Sequence, residues 1–277
     1  MLPTPSCKPV YVLGRSNEET ARLQSQAVFV EPFTKRLFQD AGIRPGMKVL
    51  DLGSGAGDVA LLAARLVGSK GSVLGVDTES AILEIARARA HDAGHHNISF
   101  RAGDIRELTL ERDFDAVVGR FVLLYIPDPV AAMCAAVNHL RSGGIAAFQE
   151  CDWTQDSFAV PPSPLLDRVW KWISDAFRKS GADMQMGLKL RGVFLAAGLA
   201  DPQVHGDRFI GGGANWDGYT HIAGLMRSVL PFLEASGIVT AEEVEIDSLC
   251  DRLRRDIVSK NGVVVYQTLV RAWARKP

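Results

Sequence analysis

The chain has 277 residues, 47% hydrophobic and 23% charged, which is enough to bury a core without staples in one large domain or two small ones. Thirty-one basic residues stand against 32 acidic ones, a formal net charge of −1 at pH 7, and no basic run is present, so a nucleic-acid partner is not expected. Cys7, Cys134, Cys151 and Cys250 form no C-x-x-C, which predicts free thiols in a reducing, cytoplasmic setting; neither a leader peptide nor an apolar run of roughly 18 residues is read, so no secretion signal and no membrane span are expected.

Met1 to Pro9 carries three prolines and no periodicity, and reads as a draped tail. Tyr11 to Gly14 is short and apolar. Ser16-Asn17-Glu18-Glu19 is a capping box, predicting a helix to about Phe29. A second helix is expected over Glu31 to Ala41, with Pro32 in its first turn. Met47 to Leu52 then reads as the first strand. A strand–helix rhythm follows: strands at Ser72 to Val76, Asn97 to Ala102, Phe114 to Gly119 and Ile145 to Phe148, helices at Ser80 to Ala93 and Pro129 to Leu140. Short joints and nearly continuous apolar strands predict an α/β fold, a parallel sheet covered on both faces. After Trp153 the rhythm breaks. Helices are expected at Leu165 to Lys179 and Leu188 to Ala197, a strand at Gln203 to Phe209, and a hinge at Gly211 to Gly213. Amphipathic helices follow at Trp216 to Ala235 and Ala241 to Ser259, then a last strand from Val263 to Trp273.

The organising stretch is Val49 to Gly57, V-L-D-L-G-S-G-A-G: a buried strand ending in an acid and a glycine turn, then a helix start. Such a turn lets backbone approach a ligand closely, and the helix start offers free N–H groups. A dinucleotide would require G-x-G-x-x-G/A. Here Asp58 stands where the third glycine belongs, and an acid beside a pyrophosphate is repelled. S-adenosylmethionine has no phosphate and tolerates that acid. Asp77, ending the second strand, is placed to accept from both ribose hydroxyls, or to cap the next helix together with Thr78. Asp104, in Ala102-Gly103-Asp104-Ile105, is placed for the adenine amino group with the Ile105 N–H on a ring nitrogen, or is a plain turn residue.

With these motifs in order, the chain resembles class I S-adenosylmethionine-dependent methyltransferases. The carriers are V-L-D-L-G-S-G-A-G, the Gly75-Val76-Asp77 triplet, Ala102 to Ile105, F-D-A-V-V-G-R at Phe114 to Arg120, and L-R-S-G-G at Leu140 to Gly144. The resemblance implies a doubly wound, seven-stranded, mostly parallel sheet of Rossmann-like type. Its last strand runs antiparallel beside strand five, here with a helical insertion between the last two strands. It implies S-adenosylmethionine as cofactor and a small-molecule acceptor of bacterial specialised metabolism. Gly53, Ser54 and Gly55 would lie under the methionine arm, with Asp51 ordering the turn or reaching the ammonium. The Arg120 backbone would face that ammonium, and its side chain would reach the acceptor or pair with Asp152 or Glu150. Leu13 to Ala27 is similar to the capping N-terminal helix of the small-molecule subset, which makes Tyr11, Arg22 and Gln26 candidates at the methionine end.

The implied organisation is a tail and helical cap (1–45), a cofactor core (46–153), substrate-side helices with strand six (154–210), a helical lid (211–260) and a final strand (261–277), as one structural domain. Because a sulfonium is already electrophilic, the enzyme has chiefly to position the acceptor and exclude water; a base is required only if the acceptor must lose a proton. Glu150 and Asp152, two apart on a strand, project to the same side and are the first candidates. His221, on the insertion helix beside Trp216, Tyr219 and Met226, is the second. Trp153, Trp216 and Tyr219 are candidate walls of the acceptor pocket, although such a stripe also suits a core, and Trp216 with Phe232 would equally suit a homodimer contact. Cys151 points away from Glu150, which argues against a thiol nucleophile. His95 and His96 read as solvated, His139 as a helix-end residue and His205 as a strand residue. No metal is expected. A non-catalytic S-adenosylmethionine-binding regulator is the alternative function, and an RNA or protein methyltransferase the third.

Overall fold

The computed structural model describes residues 17–154 and 157–277, with side chains described from residue 29 onward. The capping box at Ser16, the apolar segment at Tyr11 and the side chains of Arg22 and Gln26 lie outside the described residues. In chain order the elements are α1 (Asn17–Ala41), β1 (Lys48–Leu52), α2 (Asp58–Val67), β2 (Ser72–Asp77), α3 (Ser80–Asp92), β3 (Ile98–Ala102), β4 (Phe114–Arg120), α4 (Pro129–Asn138), β5 (Leu140–Asp152), β6 (Phe158–Val160), α5 (Pro164–Lys179), α6 (Met186–Ala196), β7 (Gln203–Gly211), α7 (Gly218–Ala235), α8 (Ala241–Val244), α9 (Leu249–Ser259) and β8 (Val263–Arg275). A single 3-10 turn, Leu123–Tyr125, follows β4.

The strands β3, β2, β1, β4 and β5 pair side by side and parallel. Next to β5 comes β8, antiparallel, with Ile145 opposite Arg275 and Asp152 opposite Thr268. On β8 the strand β7 also pairs antiparallel, from Gln203 opposite Trp273 to Gly211 opposite Val264. The α/β class and the antiparallel last strand follow the reading of the sequence. The strand number does not: among the described residues the sheet has eight strands, not seven. The extra one, β6, prolongs the pairing of β5 along β8, with Phe158 opposite Val265. Three residues are too few to show alternation, so nothing in the local sequence marks it.

Alternation along each central strand sends side chains to opposite faces. Val49, Val118 and Ala147 pack with Leu37 and Phe38 of α1 and Val59 and Ala63 of α2. Leu50, Val117 and Phe148 pack on the other face with Met133 of α4 and Leu190 and Phe194 of α6. Both faces are therefore dry, which is why the strands read as continuous apolar runs.

Three expected boundaries are corrected. The break before Glu31 does not occur: α1 is one helix of 25 residues with Pro32 inside. Its buried positions Val30, Thr34, Leu37, Phe38 and Ala41 keep helical spacing onto the sheet. Pro32 lies on the exposed side, where water can satisfy the carbonyl that its ring leaves without a partner. The single helix over Ala241 to Ser259 is two. Thr240 and Glu243 form a capping box for α8, and Glu245 at φ 50° ends it in the left-handed region; the bend lets Val244, Ile246 and Leu249 all reach the core. Finally, β5 is 13 residues rather than the short run Ile145 to Phe148. It begins at Leu140, passes an irregularity between the Phe114 and Ala116 pairings, and continues through the acidic residues Glu150 and Asp152, which are buried.

Candidate functional site

The carboxyl ends of β3, β2, β1, β4 and β5 lie in that order along one edge, bringing together Asp104, Asp77, Asp51, Arg120 and Glu150. Between β1 and α2 the glycine turn runs with Gly53, Gly55 and Gly57 at φ 66°, 50° and 88°. An L side chain resists these values, which is why glycine is placed there. The three are not equivalent. A Cβ on Gly53 would stand 2.3 Å from the Val122 side chain, whereas a Cβ on Gly55 would meet nothing within 4 Å. Gly53 is a close-packing position and Gly55 an open one, as a ligand-facing backbone requires.

Asp77 clasps this turn. Its Oδ2 accepts from the Gly55 N–H at 2.9 Å and its Oδ1 from the Glu79 N–H at 3.0 Å. It does not cap α3, whose N-cap is Glu79, and Thr78 is exposed. The carboxylate stands half-buried at the strand end with a second lone pair on each oxygen. Gly103 follows β3 with its N–H on the Asp77 carbonyl at 2.9 Å. Asp104 is gripped by Arg106, whose Nε lies 2.9 and 3.1 Å from its two oxygens. Ile105 is buried below.

Asp51 is fully buried; the Ala60 N–H faces its carboxyl, but neither oxygen receives a well-formed hydrogen bond among the described residues, and the buried Ser54 hydroxyl has none either. A buried polar group without a partner is costly. Two adjacent ones beside an open glycine are what a site for a hydrogen-bond-donating ligand leaves behind. Burial pushes the Asp51 carboxyl well up, and the Arg120 guanidinium opposes this while the Asp77 and Asp58 charges add to it. Arg120 is itself held down from its ordinary value by burial, against the carboxylates of Asp58, Asp51 and Glu31. Its expected pairing with Asp152 or Glu150 is not found. Arg120 instead donates to the Thr34 hydroxyl of α1 at 3.2 Å, and that hydroxyl donates to Gln149 Oε1 at 2.8 Å. The reason is alternation: Arg120 is opposite Gln149 in register, on the face of α1, whereas Glu150 and Asp152 point to the other face. Asp58, which argued against a dinucleotide, is answered by Arg89 of α3 at 2.6 Å.

Glu150 is buried, with Oε1 accepting from the Val122 and Leu123 N–H groups at 3.0 and 2.8 Å. Burial pushes this carboxyl up to about 8 despite those donors. Asp152 accepts from the Thr154 N–H at 3.0 Å and hydroxyl at 2.6 Å, closing a local turn. Burial pushes the Cys151 thiol far up, so it stays protonated near neutral pH. Among the described residues no group of three or more His, Cys, Asp or Glu has metal-holding geometry, and no described helix is long and apolar enough to cross a membrane.

Beyond β5 lies a wall of rings. Phe29 of α1 stacks on Phe209 of β7 at 4.2 Å and on His221 of α7 at 4.7 Å between centroids. Tyr266 stands 5.5 Å from His221 and 4.8 Å from Trp170. Trp153 meets Trp170 edge-on and Phe177 at 4.8 Å. Trp216 is wedged where a Cβ on Gly211 or Gly218 would stand, and the Tyr219 hydroxyl donates to the Gly212 carbonyl at 2.7 Å. Trp216 and Phe232 pack, partly buried, against the chain's own core. Sequence reading missed Phe29, Thr34, Gln149, Tyr266 and Val122. The apolar spacing of Phe29 and Phe33 was a visible signal; the others acquire their role only from neighbours distant in sequence.

A methyltransferase-domain family model matches residues 43–187. The aklanonic acid methyltransferase of a Streptomyces species is 34% identical over 145 residues, covering 51% of this chain and 66% of that protein. The demethylmenaquinone methyltransferase of Staphylococcus aureus is 35% identical over 117 residues, covering 42% and 48%. The chain thus spans between about half and two thirds of these relatives' lengths. A solved structure of a Bacillus halodurans protein superposes with a TM-score of 0.58 at 20% identity, over 88% of this chain and 98% of the other, which is a likeness of fold.

Proposed function

The chain belongs to the methyltransferase domain family, and on that premise we propose that it transfers a methyl group from S-adenosylmethionine to a small-molecule acceptor. The observation that carries the reading is the pair of buried, unpartnered groups, Asp51 and Ser54, beside the open backbone of Gly55. These residues fit an ammonium-bearing arm: an ionised Asp51 would accept from it, and Gly55 gives it clearance. Burial holds the Asp51 carboxyl well above its ordinary value; the Arg120 guanidinium opposes that rise, and an ammonium placed against Asp51 would favour the ionised form further. Asp77 has lone pairs left for two ribose hydroxyls, with Thr78 beside it. Gly103, Asp104 and Ile105 form the floor for adenine, Asp104 being braced by Arg106. S-adenosylmethionine, when bound, supplies the methyl as an electrophile on sulfonium sulfur. What the chain itself must do is hold the acceptor in line and keep water out.

For the acceptor we propose the side bounded by α1, α5 and α7. The rings of Phe29, Trp153, Trp216 and Tyr266 suit a flat, largely apolar molecule, in keeping with relatives that act on aklanonic acid and demethylmenaquinone. Of the expected proton acceptors, Glu150 and Asp152 hold backbone in place. His221, inside the ring wall, is the group we propose for a proton where the acceptor must lose one. The test is incubation with S-adenosylmethionine and a panel of phenols, quinols, amines and carbon acids, read by mass. A product heavier by one methyl supports the reading. Tight binding of S-adenosylmethionine with no turnover across the panel would favour a non-catalytic binding protein instead.

A further inference from the structure

The turn after β4 is held by one side chain from the neighbouring strand. Phe121 adopts φ 54°, a left-handed conformation that a bulky residue reaches only under constraint. Its N–H is fixed on the Gln149 carbonyl at 2.9 Å. The next two N–H groups, of Val122 and Leu123, converge on Glu150 Oε1. The Leu124 carbonyl is tied in turn by the Asp183 N–H at 2.8 Å. Val122, so placed, fills the space where a side chain on Gly53 would stand, and it also backs Gly119. A mechanical line therefore runs from Glu150 through Val122 to Gly53, the first residue of the glycine turn.

We propose that Glu150 is a positioning residue: by receiving the Val122 and Leu123 N–H groups it fixes the turn that backs Gly53, and so sets the shape of the methyl-donor site. This rests on reading the glycine turn as that site. Burial separates the role from that of a base, although Oε2 has no hydrogen-bond partner among the described residues. Oε1 is committed to two backbone donors, and the whole side chain is sealed from solvent. The Asp183 carboxylate, from the segment before α6, adds to the effect of that burial. Burial makes the neutral acid the favoured form around neutral pH, and its Oε1 still receives both N–H groups, less strongly than a carboxylate would.

The test is calorimetry with S-adenosylhomocysteine as probe, on the full chain and the variants Glu150→Gln, Glu150→Ala and Val122→Ala. Glu150→Gln keeps an acceptor oxygen on the turn and is expected to bind within about threefold of the native chain at pH 7. Glu150→Ala removes it and is expected to weaken binding tenfold or more. Val122→Ala keeps the Glu150 cap, so it answers even if Glu150→Ala does not fold; it is expected to weaken binding severalfold. Native-like binding by Glu150→Ala or by Val122→Ala overturns the proposal. So does a tenfold loss in Glu150→Gln, which would show that the charge and not the cap matters. If the native chain binds neither S-adenosylmethionine nor S-adenosylhomocysteine, the donor-site reading falls and this proposal with it. Native binding with unaffected variants fails this proposal alone.

Discussion

The Gly55 N–H donates to Asp77 Oδ2 at 2.9 Å, so the glycine turn after β1 and the acid ending β2 form one unit. Asp77→Ala removes both the proposed ribose acceptor and the clasp on Gly55. Hydrogen bonds to a charged group contribute about 1.5–3 kcal/mol, so S-adenosylhomocysteine affinity should fall on the order of 10- to 100-fold. Asp77→Asn keeps one acceptor oxygen and should lose less. Unchanged affinity in Asp77→Ala by calorimetry would sink the assignment.

The two glycines of the turn should respond differently to alanine. Both cost roughly 1–2 kcal/mol for the left-handed backbone. Gly53→Ala adds a collision with Val122, and Gly55→Ala adds none. Gly53→Ala should therefore lower the thermal midpoint clearly more. Gly55→Ala should lower it only by that backbone cost, while binding S-adenosylhomocysteine more weakly, its methyl standing in the proposed ligand's space. Equal melting of the two variants contradicts the packing argument.

In the fold the Glu150 carboxyl keeps its proton up to about 8, against an ordinary value of 4.5. Between these the unfolded chain binds fewer protons than the folded one, so rising pH draws the equilibrium towards unfolding. Glu150→Gln cannot ionise. Its stability relative to the native chain should rise from about pH 4.5 to about pH 8 and then level off. Urea unfolding at pH 5, 7 and 8.5 measures this; a difference independent of pH would show that Glu150 titrates normally.

Thr34 joins α1 to both Arg120 and Gln149. Thr34→Val keeps the shape and leaves the Gln149 carbonyl oxygen without this donor. Leaving a buried group unsatisfied costs about 1–3 kcal/mol. Combining Thr34→Val with Gln149→Leu should recover part of that loss, because both polar partners are then gone. Strict additivity in the double-mutant cycle would mean the two groups do not interact in solution.

His221 stacks on Phe29 at 4.7 Å. His221→Phe keeps a ring in that stack but accepts no proton. It should fold and bind S-adenosylhomocysteine as the native chain does. Methyl transfer to an acceptor that must be deprotonated should fall on the order of 100-fold. Undiminished transfer would leave His221 a packing residue.

The strand–turn–helix at Val49, and the acids at Asp77 and Asp104, were readable because each is local: apolar runs, punctuating glycines and short joints are properties of neighbours in the chain. The end of β5 was not readable in that way. Glu150 and Asp152 could be placed at the strand's carboxyl end and on one side of it, but their burial depends on β8, more than 100 positions later, which pairs with them and extends the strand. Arg120 likewise pointed to three partners on paper, and only strand alternation sends it to Thr34 rather than to Glu150.

By itself the sequence determined the α/β class, the order of the central elements and the place of the glycine turn proposed for the methyl donor, because hydrophobic periodicity and backbone freedom act over a few residues. Only the tertiary structure decided which buried polar atoms keep no partner, which carboxylate caps a turn and which rings face one another across α1, α7 and β8. Those outcomes depend on pairwise distances between segments far apart in the chain, and on desolvation, which exists only once the segments have packed.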